Sequence, residues 1–127
     1  MNSNARRAVR WLLVVVWCTV IFCLSAIPYL KIETLGTWDF IFRKIAHVTE
    51  FAVLSILLFR AVNFEKKQIN YFWPVFLSIV YAASDEIHQG FVPGRNPSVI
   101  DVGIDTAGVI TGIVAKNILS YFGKYRD

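Results

Sequence analysis

The stretch WLLVVVWCTVIFCLSAIPYL, Trp11 to Leu30, is a run of twenty residues without a formal charge, framed by Arg10 and Lys31. At about 1.5 Å of helical rise per residue it matches the roughly 30 Å hydrocarbon core of a bilayer, so it reads as a membrane-crossing helix. Arg6, Arg7 and Arg10 precede it as they would a signal peptide. A signal h-region, however, takes only about 7 to 15 residues and is followed by an A-x-A cleavage site; none follows here, and the reading is a retained anchor. Composition points the same way. Of 127 residues, 56% are hydrophobic and 17% charged, against about 25% charged in soluble domains. The length suits a single domain over residues 1–127. The net charge of +4 has no basic stripe to match it, so no nucleic acid partner is expected.

Working outward, three further apolar runs carry ionisable residues at one end. The predicted spans are about 11–30, 45–63, 71–86 and 99–118, separated by a charged and amide-rich stretch (Asn63 to Asn70) and by the turn-forming segment Gly90 to Ser98. The expected fold is all-α, a bundle of four transmembrane helices. Nine Lys and Arg residues, at 6, 7, 10, 60, 66, 67, 116, 124 and 126, fall on one side of such a bundle, and Lys31, Arg43, Lys44 and Arg95 on the other. The excess of basic residues predicts cytoplasmic N and C termini. Carboxylates run the opposite way, with Glu33, Asp39, Glu50, Asp85, Glu86, Asp101 and Asp105 on the outer side.

Acids inside an apolar span cost about 2.5 to 3.5 kcal/mol each at the bilayer centre and normally face the bundle interior. The second span starts, the third ends and the fourth starts on the same side, so their polar ends can converge. In the second, Arg43, Lys44, His47 and Glu50 follow one another, and His47 or Arg43 can pair with Glu50 one or two turns on. The third ends in Ser84-Asp85-Glu86-Ile-His88-Gln89, with Tyr81, Asp85 and His88 on one face. Pro93 and Gly94 then suit the centre of a tight turn that aims Arg95, whose guanidinium can grip phosphate or carboxylate. On the fourth, Asp101, Asp105, Gly108 and Gly112 at i, i+4, i+7 and i+11 share a face. Asp101 can act as a helix N-cap, and the two glycines allow close helix approach, within the bundle or across a homodimer.

The acids of this cluster outnumber its cations, so some are protonated or a divalent cation completes the balance. No tight metal-ligand spacing is present, and neither the metal nor any other cofactor is identified. His47, Glu50, Asp85, Glu86, Gln89, Asp101 and Asp105 are candidates for acid–base or ligand chemistry, and Arg43, Lys44, Ser84, His88 and Arg95 for holding a substrate. Ser84 and Thr49 qualify as nucleophiles only by proximity. Cys18 and Cys23, five apart in the first span, read as packing residues.

Three motifs, Arg43-Lys44-Ile-Ala-His47-Val-Thr-Glu50-Phe51, Ser84-Asp85-Glu86-Ile-His88-Gln89-Gly-Phe91-Val-Pro93-Gly94-Arg95 and Asp101-Val-Gly-Ile-Asp105-Thr-Ala-Gly108, occur in that order. In them the chain resembles the VanZ-like family of small bacterial membrane proteins, over about residues 10 to 120. The resemblance implies a multi-pass protein of the cell membrane linked to teicoplanin resistance, and leaves the reaction open. The leading expectation is an extracytoplasmic site acting on an envelope lipid head group or lipid-linked wall precursor, with a metal-assisted hydrolase or transferase as the enzyme class considered. A non-catalytic accessory protein that masks a lipoglycopeptide or precursor is the alternative. A proton- or ion-coupled carrier is third, because the inner half of the spans offers no polar path.

Overall fold

The computed structural model describes residues 2–28, 34 and 36–123; the expectations placed on Lys31, Glu33, Lys124 and Arg126 lie outside them. Among the described residues the chain is all-α, with four helices and no strand: α1 Ser3–Ser25, α2 Thr37–Val62, α3 Phe72–Gln89 and α4 Val99–Gly123. By length and apolar composition α1 and α2 can each cross a membrane.

Helix ends depart from the hydropathy boundaries wherever local chemistry outweighs apolarity. The first helix starts at Ser3, because the Asn2 side chain accepts the Ala5 N–H at 2.8 Å and caps it. It stops at Ser25, five residues before the expected end, since Pro28 lacks an N–H and disfavours helical geometry at Ile27. The second begins eight residues earlier than expected, after Gly36 at φ +50°. That start puts Asp39 in the first turn, where it pairs with Arg43 at 3.0 Å and complements the helix dipole. The third runs on to Gln89, so Glu86, His88 and Gln89 are helical.

Asn63 closes the α2–α3 turn. Its side chain donates to Phe59 O (3.1 Å) and Asn70 O (2.8 Å) and accepts from Asn70 N (2.6 Å). The expected turn after α3 is present: Gly94 has φ +80° and Arg95 N donates to Val92 O at 3.1 Å, the geometry of a type II turn with Pro93 and Gly94 central.

The tightest packing is between α2 and α4. A Cβ on Gly108 would lie 2.5 Å from Val48 O, and one on Gly112 would overlap Ala52 O and Ser55 Oγ. The glycine face therefore serves close approach inside the chain, and the homodimer expected through Gly108 and Gly112 would need another surface. Ile21, Phe51, Leu54, Ala82 and Val109 form the fully buried centre. Large apolar side chains also cover the outside, among them Leu12, Val15, Phe72, Ile110 and Leu119, more apolar surface than a soluble bundle normally shows. Cys18 packs on the core, whereas Cys23 is exposed, so the packing role expected for both holds for Cys18 alone.

Candidate functional site

Because α2 and α4 start and α3 ends at the same end of the bundle, their polar residues meet there, and the last turn of α1 joins them. Arg43, Lys44, His47, Gln89, Arg95 and Asp101, with Phe40, Gly94 and Asn96, line a cavity of about 300 Å³. A second cavity of about 160 Å³ shares Arg43, His47 and Arg95 and adds Glu50, Ser25 and Leu24.

The α2–α4 wall is built from charge pairs. Lys44 Nζ contacts Asp101 Oδ1, so Asp101 is an ion-pair partner rather than the expected cap. Capping falls to Ser98, whose Oγ accepts the Ile100 N–H at 3.1 Å. One turn deeper, His47 Nδ1 lies 3.0 Å from Oδ1 of Asp105, a carboxylate with no exposed surface. The local pairs expected within α2, His47 or Arg43 with Glu50, give way to His47–Asp105 and Arg43–Asp39, because the helix rotation set by the glycine seam turns His47 toward α4. Nδ1 is thereby occupied, and Nε2 is the ring nitrogen left to meet a ligand.

The α3–α1 wall uses neutral partners. Asp85 Oδ2 accepts from Ser25 Oγ at 2.9 Å and Gln89 Nε2 at 2.8 Å, and Arg95 Nη2 donates to Leu24 O at 3.2 Å. Asp85 Oδ1, Asp105 Oδ2 and Arg95 Nε are buried with no hydrogen-bond partner, polar capacity that a packed site normally fills with water or ligand. Burial and then the neighbouring Arg43 pull the Arg95 guanidinium below its ordinary value, against the opposing pull of Asp85, Glu50 and Glu86; an Arg keeps its charge even so.

Several expected site residues stand elsewhere. Glu86 turns to the start of α4, where its Oε1 accepts the Ser98 N–H at 2.5 Å and pins the turn; it lines neither cavity. Ser84 is exposed and donates to Tyr81 O within its own helix. His88 stacks on Phe22 of α1, ring centroids 4.2 Å apart, and Tyr81 Oη donates to Cys18 O, so Tyr81, Asp85 and His88 do share a face, one turned to α1 rather than lining either polar cavity. Among the described residues no group of three or more His, Cys, Asp or Glu side chains is arranged to hold a metal ion. A divalent cation, one of the two ways of balancing the acids, thus finds no ready donor set, since Asp101 and Asp105 are each engaged by a basic side chain of α2. Ser25 was missed by sequence reasoning; its signal was a lone hydroxyl at the polar-end terminus of an otherwise apolar helix.

The family model described as VanZ/LLP1 matches residues 10–120, nearly the whole chain. No curated protein and no solved structure matches it.

Proposed function

The chain belongs to the VanZ/LLP1 family, and from that premise, which suggests a function related to teicoplanin resistance, we propose a four-span membrane protein with both termini cytoplasmic and its polar end extracytoplasmic. The twin cavity takes the anionic head group of an envelope lipid or lipid-linked wall precursor. Arg43, Lys44 and Arg95 hold its phosphate, and His47 acts as general base with Asp105 orienting the ring. One observation carries this reading: a cationic cavity lined by a histidine whose far nitrogen is held by a fully buried carboxylate. Such a pair fixes the tautomer and stabilises the imidazolium that forms when Nε2 takes a proton from an attacking water or hydroxyl. A positioned base contributes about 10² to 10⁴ in rate.

The test is expression of His47→Gln, Asp105→Asn and Arg95→Ala in a teicoplanin-susceptible host, with membrane abundance measured alongside. Loss of tolerance at normal abundance is expected for all three. Full tolerance in all three would remove the site from the function.

A binding role without chemistry is favoured by one observation. No nucleophile stands beside His47, since Thr49 is exposed and donates to Ile45 O and Ser84 faces away. Under that reading Arg95→Ala abolishes tolerance while His47→Gln retains most of it.

A further inference from the structure

The two helices that form the neutral wall of the site scarcely pack along their length. Below Ser25 the α1–α3 seam opens into two apolar hollows of about 320 and 300 Å³ that share Val14, Cys18 and Tyr81. Leu54 and Leu58 of α2 form the floor of the second, so that hollow reaches down to the core, and both are open along their outer side. From Trp11 to Phe22 it runs eleven residues of α1, about 16 Å at 1.5 Å per residue, close to the depth of one leaflet in a core of roughly 30 Å. Its polar end closes at Phe22, stacked on His88. His88 Nδ1 is buried there without a partner, and two to three residues on, Leu24 and Ser25 line the smaller polar cavity beside Arg95.

We propose that this seam holds one hydrocarbon chain of the lipid whose anionic head group enters the polar cavity. The inference rests on the head-group reading above and narrows it: the substrate is a whole lipid, bound from within the membrane by chain and head together. Adjacency carries the argument. Two apolar hollows in line, together about one leaflet long, stop at the Phe22–His88 stack beside the cationic cavity, and an unsatisfied imidazole nitrogen stands at that junction, where a lipid has its ester or ether oxygens. Binding from the side also suits the site's α1 wall, which a few local contacts hold to α3 and its following turn: the Ser25–Asp85 and Tyr81–Cys18 hydrogen bonds, the Phe22–His88 stack and the Arg95–Leu24 bond.

The experiment uses the full chain in phosphatidylcholine nanodiscs doped with phosphatidic acid that carries a diazirine midway along one acyl chain. Light should attach the probe to residues 14–22 of α1 and to Tyr81. Thr19→Trp and Val80→Trp, at exposed positions lining the two hollows, fill the seam and should cut that labelling at least tenfold, while inorganic phosphate still binds the detergent-solubilised variants as it does the parent chain. Arg95→Ala should weaken both readouts. Labelling scattered over all exposed helix faces, or unchanged in both Trp variants, overturns the seam while phosphate binding leaves the head-group reading standing. Seam labelling that persists in Arg95→Ala, with no phosphate bound by the parent chain, overturns the head-group reading and the tether with it.

Discussion

The two walls of the polar cavity are made by opposite means. Between α2 and α4, Gly108 and Gly112 bring backbones into contact, and each α4 carboxylate meets a basic group of α2: Asp101 with Lys44, Asp105 with His47. Between α3 and α1, apolar hollows replace close packing, and one oxygen of Asp85 accepts from a hydroxyl and an amide. The difference teaches where rigidity and where access lie. A charge-paired, glycine-tight wall can hold a reactive imidazole in place, while a wall held by a few hydrogen bonds to neutral partners on α1 can part without breaking an ion pair.

The comparison breaks most visibly at the glycines. Gly112→Leu should leave little folded protein, with a cost beyond about 3 kcal/mol because the new side chain meets the backbone of Ala52, whereas Thr19→Leu on the loose seam should be neutral; membrane abundance and Tm in detergent check both. Next in size is His47→Leu, which strands the buried Asp105 carboxylate and should destabilise by about 3 to 5 kcal/mol. A Tm equal to that of the parent chain would mean Asp105 is already neutral and the wall is not built on charge. Asp85→Asn tests the other wall: both bonds go to one oxygen, Oδ2, which an amide oxygen can replace, so the loss should be no more than about 1 kcal/mol, and a drop as large as that of His47→Leu would erase the distinction. Smallest is Asp101→Asn. Lys44 and Asp101 are each about a quarter solvent-exposed, and the pair should be worth under about 1 kcal/mol and weaken further in high salt.

Much of this was legible in the residues. Four helices followed from the apolar runs and the turn compositions, and the meeting of three polar ends followed from chain direction alone. The Pro93-Gly94 turn is present where expected. Partners were not legible, because helical spacing says which residues share a face and not how that face is rotated against a neighbour. Within α2, Arg43 or His47 with Glu50 looks as favourable as the cross-helix pairs that form. Glu86 and Ser84 looked like site residues because they stand beside Asp85, yet one turns to Ser98 and the other to its own helix. Ser25 and Phe22 looked like parts of a plain anchor, and their roles depend on α3 lying alongside.

Hydropathy, charge and turn chemistry by themselves determined that this chain makes apolar helices whose acids, histidines and outer cations gather at one end, since those are properties of short segments and of the order in which they reverse direction. Only the tertiary structure decided that His47 faces Asp105, that Glu86 pins α4 and that α1 lends a wall to the site. The helix rotations behind those choices come from how closely α2 and α4 approach over their two glycines, a distance between segments some sixty residues apart that no local pattern encodes.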